Sequence, residues 1–266
     1  MKTEAFLFKL KPMRTIFAGL ILVIITAVGW VSLPLAWANY YKLSIPQIKY
    51  RGGNFNPRPD VLSSFLGQVA KRTSIEVNRE PIQMQVTEPA LYQYPFIYMG
   101  GDDSFEPFSS NELRVLRNYL SYGGFLLIDD NSGKKDSAFD RSAREMISRL
   151  FPQVPLQKIP RDHSIFRSFY LINQVAGRVN NSPFLEGIHI KGRVVLVYCA
   201  NDLAGTWARN NLGHWDYDII GGGEKQRQLS IRLGVNIVMY SLTLDYKKDM
   251  VHLPIILERL RKYHSQ

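Results

Sequence analysis

The 266-residue sequence contains one cysteine, Cys199. No disulfide can form within the chain, and a structural zinc site built on several cysteines is excluded. Cys199 ends the apolar, strand-like run 194–198, which is typical of a buried and inert thiol. Stability must therefore come from a hydrophobic core, for which a hydrophobic content of 45% is sufficient.

Two common catalytic motifs are also missing. The sequence has no Gly-x-Ser-x-Gly elbow, which argues against an α/β-hydrolase. The run Gly221-Gly-Gly-Glu-Lys225 precedes a predicted helix, but it lacks the spacing of a phosphate-binding loop. A flexible connector is the favoured interpretation, and an anion held by backbone amides is the alternative.

The formal net charge is +10. The first 38 residues hold four basic side chains and one acidic side chain, so residues 39–266 carry +7. These charges are scattered among acids without a long basic run, which favours a solvated basic surface. We expect no nucleic-acid partner.

Residues 1–38 are predicted to be a secretory signal peptide. Lys9, Lys11 and Arg14 form a positive start, residues 16–28 are an apolar core, and Ala36-Trp37-Ala38 fits a cleavage site. The alternative is an uncleaved N-terminal membrane anchor, because residues 15–38 are long enough to span a bilayer. In both cases we expect residues 39–266 to be exported, to the periplasm or the outer face of the inner membrane, with membrane contact only through an uncleaved N-terminal segment.

Residues 39–266 are predicted to form a single α/β domain with a C-terminal helix near residues 253–263. Apolar strand-like runs alternate with helical patterns, and Gly123-Gly124 separates a helix from the fully apolar run 125–128. A continuous apolar run of this length is typical of a buried strand in a parallel sheet. Asp129 and Asp130 follow the run, and the sequence predicts them on a turn at the edge where open α/β sheets bind ligands.

Polar groups follow several predicted strands, and their convergence on one rim would create a candidate site. Crowded carboxylates raise one another's pKa, and oxygen-rich groups suit a divalent cation such as magnesium, calcium or manganese. The candidate catalytic residues are Asp129, Asp130, His163 and Asp202. The candidate ligand-binding residues are Gly100, Gly101, Asn201, Trp207 and Trp215. The alternative is that the aspartates close turns or cap helices.

Several segments in order resemble one family. They include Tyr94-Pro-Phe-Ile-Tyr-Met-Gly, Leu120-Ser-Tyr-Gly-Gly-Phe-Leu-Leu-Ile-Asp-Asp-Asn-Ser-Gly, Asp162-His-Ser-Ile-Phe and Tyr198-Cys-Ala-Asn-Asp-Leu. Over residues 43–246 the chain resembles the bacterial domain-of-unknown-function family 4159. The resemblance implies a flavodoxin-like three-layer sandwich with a mostly parallel sheet, like the class I glutamine amidotransferases, in a bacterial envelope protein. It implies no established activity. The amidotransferase cysteine elbow is not matched, because Asp129-Asp130 stand at that position.

The sequence therefore favours an exported, non-catalytic module that binds an envelope protein or a small molecule at an Asp-rich crevice. The alternative is a metal-assisted hydrolase that uses Asp129, Asp130, His163 and Asp202, with the cation polarising the substrate or activating water. A purely structural, tethered domain is a third hypothesis.

Overall fold

A computed structural model describes residues 42–210 and 212–243 of the chain. The fold belongs to the unit Leu43–Gln266. The predicted leader 1–38 and the predicted helix near 253–263 lie outside the described residues. Within the described ranges, no helix combines the length and apolar character that a membrane crossing requires.

The domain is built on a seven-stranded sheet with the strand order β2-β1-β3-β4-β7-β6-β5. Strands β2, β1, β3, β4 and β7 are parallel to their neighbours, and β6 and β5 extend the sheet in antiparallel pairing. The strands are β1 Gln47–Lys49, β2 Gln83–Gln85, β3 Phe96–Gly101, β4 Phe125–Asp130, β5 Gln157–Lys158, β6 Glu186–Ile190 and β7 Arg193–Cys199. The predicted α/β class with a mostly parallel sheet is confirmed.

Helices cover both faces of the sheet. They are α1 Val61–Arg72, α2 Ser110–Ser121, α3 Ala138–Leu150, α4 Ala204–Trp207 and α5 Gly223–Thr243, with 3-10 turns at Pro89–Gln93 and Ser164–Phe166. Alternate residues of each central strand point to opposite faces. One face packs against α1, α4 and α5, and the other packs against α2 and α3. Each face therefore has its own hydrophobic core.

Local signals fix where several elements begin and end. The Ser109 hydroxyl caps α2 by accepting from the Glu112 N–H. The Glu112 carboxylate accepts from the Ser109 N–H, which completes a capping box. The β6–β7 hairpin turns on Lys191 and Gly192, both with positive φ (50° and 79°). Two such residues form the type I′ turn that suits a two-residue hairpin loop.

Strand β4 is longer than the sequence predicted. Asp129 and Asp130 are its last two residues, paired with Gly100 and Gly101 of β3, and are not on a following turn. The extension follows from pairing, because β3 also runs on through its two glycines and supplies ladder partners. This shift of two residues determines where the two carboxylates point.

Candidate functional site

Asp129 and Asp130 point to opposite faces of the sheet, because successive residues of a strand alternate. The Asp129 carboxylate lies on the α4 side and accepts bonds from the backbone N–H groups of Leu203 and Ala204. The Asp130 carboxylate accepts from the Ser132 backbone (2.9 Å) and the Ser137 hydroxyl (2.7 Å). The two aspartates therefore do not form a catalytic pair, and Asp130 closes the turn into α3.

Asp129 is 0% exposed. Its Oδ1 accepts from Leu203 N at 2.9 Å, and its Oδ2 accepts from Ala204 N and Asn131 Nδ2, both at 2.8 Å. Burial and the nearby charge of Asp202 raise the pKa of Asp129 to about 7, against the opposing effect of these donors. The carboxyl thus lies in the range of a general acid or base, but every oxygen faces the chain itself.

Asp202 is also 0% exposed, and two guanidinium groups surround it. Arg58 binds it in bidentate fashion, through Nε at 2.9 Å and through Nη2, and Arg178 binds it through Nε. Gly205 N donates to the same carboxylate at 2.9 Å. Burial lowers the pKa of Arg58, but the charge and hydrogen bond of Asp202 together with Tyr217 outweigh burial, and the net shift is upward. The Arg58 guanidinium therefore stays charged beside Asp202.

Asn131 joins the two carboxylates. Its Nδ2 donates to Asp129 at 2.8 Å and lies 3.4 Å from Asp202, and its Oδ1 accepts from the Tyr98 hydroxyl at 3.2 Å. We call these six side chains the carboxylate network; its members are Arg58, Tyr98, Asp129, Asn131, Arg178 and Asp202. The donors of the network satisfy its buried acceptors, as buried polar groups require.

Gly100 of β3 makes room for the carboxylate network, and Gly101 makes room for Tyr50 on the other face of the sheet. A Cβ on Gly100 would lie 2.4 Å from the Tyr98 hydroxyl and 2.6 Å from Asn131 Oδ1. A Cβ on Gly101 would lie 2.1 Å from the hydroxyl of Tyr50. The chain's own side chains therefore fill the space over both glycines, which the sequence had suggested for a ligand.

Three further candidates are engaged within the fold. Asn201 is buried and makes two hydrogen bonds to the Ser182 backbone. Its Oδ1 accepts from the N–H at 2.8 Å, and its Nδ2 donates to the carbonyl at 2.7 Å. Trp207 is a core residue stacked on Phe65 with ring centroids 4.0 Å apart. Trp215 is half-buried beneath the guanidinium groups of Arg209 and Arg227, 3.6 and 4.4 Å from its ring.

His163 does not reach the carboxylate network. Its ring packs against His189 and Tyr240, with centroids 6.0 and 5.2 Å apart. The Tyr240 hydroxyl accepts from the N–H of Val194 near the start of β7, whereas Asp202 follows the end of that strand. Five residues of strand span about 16 Å. The loop that carries His163 crosses the sheet face and does not turn towards the rim, so the expected convergence does not occur.

The His163 side chain is engaged at the start of its own 3-10 turn. Burial and the neighbouring His189 lower its pKa, and its Nδ1 accepts from the Ile165 backbone. Among residues 42–210 and 212–243, no cluster of three or more His, Cys, Asp or Glu side chains is arranged to hold a metal ion. At the rim, guanidinium groups occupy the positions beside Asp202 that a cation would take.

Sequence reasoning missed four members of the carboxylate network. They are Arg58, Tyr98, Asn131 and Arg178. Arg58 stands between two prolines in Asn56-Pro-Arg-Pro-Asp60, and that rigid setting was its one local signal. Arg178 lies 24 residues from Asp202 in a loop without a motif, so only the tertiary structure identifies it.

Two open clefts lie outside the carboxylate network. A cleft of about 370 Å³ lies beside the ends of β1 and β2 and the start of α2. We call it the β1–β2 cleft, and it is lined by Lys49, Tyr50, Arg51, Phe55, Gln85, Thr87, Ser109 and Glu112. A second cleft, of about 630 Å³, lies along the loop after β5 and is lined mainly by polar residues such as Arg161, Asn173 and Gln174.

Comparison with known proteins gives a family and no activity. The family model described as Domain of unknown function (DUF4159) matches residues 44–242, three quarters of the chain and almost all of the described fold. A search of curated proteins finds no match to the chain. The matched range contains the whole carboxylate network and the whole β1–β2 cleft. The chain therefore belongs to the DUF4159 family.

Proposed function

We propose that the chain is an exported protein of the bacterial cell envelope that acts as a non-catalytic module, binding a ligand or a protein partner. One observation carries the proposal: Asp129 and Asp202 are wholly buried, and donors of the chain itself engage both oxygens of each carboxylate. A catalytic acid or base must come within hydrogen-bond reach of its substrate or of one bridging water. These carboxylates serve the fold and leave binding to the surface around them.

The finer description of the fold is part of this proposal. The order β2-β1-β3-β4-β7 of the parallel strands, with helices on both faces, supports a flavodoxin-like three-layer sandwich. It also supports the likeness to class I glutamine amidotransferases. Cys199 is buried and burial raises the pKa of its thiol, so it is a poor nucleophile. A fold of this kind keeps its ligand edge when its chemistry is lost.

Export is supported by the N-terminal pattern of three basic residues, an apolar core and Ala36-Trp37-Ala38. An exported domain without nucleic-acid features meets envelope proteins, envelope polymers and small molecules, and we propose its partner among these. Membrane contact would come only from an uncleaved N-terminal segment.

The metal-assisted hydrolase retains one supporting observation, the pKa of about 7 at Asp129. It would require the turn at Leu203 and Ala204 to open and both arginines to leave Asp202. It would also act without His163. These requirements make it the second candidate.

Calorimetric titration of the full-length chain with Mg²⁺, Ca²⁺ and Mn²⁺ separates the two candidates. We expect no saturable cation binding that depends on Asp129 or Asp130. Saturable binding that is lost in both Asp129→Asn and Asp130→Asn, in variants that remain folded, would move the hydrolase to first place.

Hydrogen-exchange mass spectrometry tests the binding role directly. The full-length chain, held in lipid nanodiscs, is compared with and without a membrane-free envelope extract. We expect protection of surface loops at the carboxyl edge of the sheet, with unchanged exchange at β4. No protection at any surface segment at saturating extract would overturn the binding module.

A further inference from the structure

The β1–β2 cleft lies next to the point, between β1 and β3, where the sheet reverses its connections. Helix α1 leaves β1 and covers one face of the sheet, whereas α2 leaves β3 and covers the other. The two helices therefore diverge beside the carboxyl ends of β1 and β3, and open α/β sheets bind ligands in the crevice at this switch point. The carboxylate network fills the edge at β4 and β7. Within residues 42–210 and 212–243, the β1–β2 cleft is an open part of this edge.

Two cationic side chains, Lys49 and Arg51, line this cleft beside one carboxylate, that of Glu112. Lys49 is exposed and has no carboxylate within ion-pair distance among the described residues. Arg51 has 63% of its side chain exposed, and its contacts with Glu106 and Glu112 are long, at 3.8 and 3.5 Å. The Glu106 contact is exposed on both sides and weak, and the Glu112 carboxylate is also engaged by the Ser109 N–H at 2.7 Å. An anionic ligand can therefore reach both cations.

The other lining groups combine an aromatic ring with neutral hydrogen-bonding groups. Phe55 is half-buried, and Lys49 Nζ lies 5.8 Å from the centre of its ring. The exposed amide of Gln85 and hydroxyl of Thr87 make no side-chain hydrogen bond within the described part of the chain. An aromatic face beside free amide and hydroxyl groups suits a sugar ring, which has one apolar C–H face and a rim of hydroxyls.

We propose that the β1–β2 cleft binds a carboxylate-bearing saccharide, with Phe55 under the sugar ring, Gln85 and Thr87 on its hydroxyls, and Lys49 and Arg51 on its carboxylate. The volume of about 370 Å³ lies at the lower end of the range for small-molecule sites, which suits a ligand of one or two rings. The inference rests on the proposed binding function and names its ligand class. Two sources share this chemistry, glycans that carry a lactyl carboxylate and glycans built from uronic acids.

Ligand-observed NMR titration of the full-length chain tests the proposal with two matched sugar pairs. N-acetylmuramic acid is compared with N-acetylglucosamine, and galacturonic acid with galactose. We expect at least one acidic sugar to bind at least tenfold more tightly than its neutral partner, with the strongest saturation transfer on the C–H face. The tighter acidic sugar identifies the source. Equal binding within both pairs, or no binding of any of the four sugars, would overturn the proposal.

Variants of cleft residues test whether the sugar binds in the β1–β2 cleft. The double variant Lys49→Gln, Arg51→Gln is expected to lower the affinity for the acidic sugar at least tenfold. Phe55→Leu is expected to lower that affinity several-fold. The matched control is Lys158→Gln, because Lys158 lies 4.1 Å from the ring of Phe184 in a similar pair at the other end of the sheet. Unchanged affinity in the double variant, or an equal loss in the control, would contradict the proposal.

A bare anion site is a distinct outcome. Lactate that binds as tightly as N-acetylmuramic acid would show that the sugar ring contributes nothing, and it would overturn the saccharide assignment. Failure of all these sugar tests alongside positive hydrogen-exchange protection would reject the ligand class and leave the binding module standing. Failure of both experiments would reject the module itself.

Discussion

Two halves of the same sheet edge use charged residues in opposite ways. At β3, β4 and β7, Asp129 and Asp202 are buried and bound by the chain's own donors. At β1 and β2, Lys49 and Arg51 are exposed around an open cleft. Both halves lie where parallel strands end, which is the position that suggests function from sequence. The first half is closed because loops that carry Arg58 and Arg178 pack onto it and bind Asp202.

The comparison shows that a dense group of polar residues at a strand end is not in itself a ligand site. Buried charges that have partners are costly to disrupt, because removing one partner leaves the other without compensation. Exposed charges contribute little to stability and remain free to bind. The two halves should therefore respond in opposite ways to mutation, the closed half through stability and the open half through affinity.

The largest expected effect is that of Asp202→Ala. Loss of this carboxylate leaves Arg58 and Arg178 without their buried partner, and we expect the free energy of unfolding to fall by about 3–5 kcal/mol. Chemical unfolding followed by tryptophan fluorescence measures it. The matched control is Asp102→Ala, at an exposed position on the same edge. A loss below about 1 kcal/mol would mean that the carboxylate network does not stabilise the fold.

Asp129 should make stability depend on pH. Its pKa is about 7 in the folded protein and near 4 when unfolded, so the folded state holds the proton more tightly. Its contribution to stability is therefore greatest at low pH and is lost as the pH rises from about 4 to about 7, by an amount on the order of 4 kcal/mol.

The measurement is the unfolding free energy of the wild type and of Asp129→Asn between pH 4 and pH 8. The difference between the two proteins isolates Asp129 from the other titrating groups. We expect the unfolding free energy of the variant to rise relative to that of the wild type as the pH rises to 7, and the difference to stay constant above that pH. A constant difference over this range would show that Asp129 stays ionised.

Gly100→Ala tests the close packing of the network at β3. The new Cβ would lie 2.4 Å from the Tyr98 hydroxyl, and overpacking of this kind costs about 2 kcal/mol. Gly67→Ala in α1 is the matched control, because its Cβ meets only the flexible end of Arg79 at 3.2 Å. That change should be neutral or stabilising by up to about 1 kcal/mol. Equal thermal midpoints for the two variants would contradict the expectation.

The smallest expected effect on stability is that of Arg51→Gln at the open half. Its ion pairs are long, and its own side chain is 63% exposed, so we expect the unfolding free energy to change by less than about 0.5 kcal/mol. The same unfolding assay measures it beside Asp202→Ala. A loss comparable to that of Asp202→Ala would show that the β1–β2 cleft is structural and would remove the distinction between the two halves.

Much of the fold was predictable because its signals are local. The apolar run at residues 125–128, the Ser109 cap and the glycines after α2 each specify an element through neighbouring residues. The network's carboxylates were predictable as residue types at a strand end. Their partners were not, because Arg58 lies 144 residues from Asp202 in the chain and its loop carries no motif.

The sequence by itself determined that this is an α/β domain with a buried, mostly parallel sheet and with aspartates at the ends of its central strands. Hydrophobic periodicity and turn chemistry act over a few residues, so one sequence shows them. Only the tertiary structure decided that Asp129 and Asp130 face opposite ways, that His163 lies far from both, and that the open cleft is at β1 and β2. Those outcomes depend on strand pairing and on which loops return to the sheet edge, and such contacts join residues that are distant in the chain.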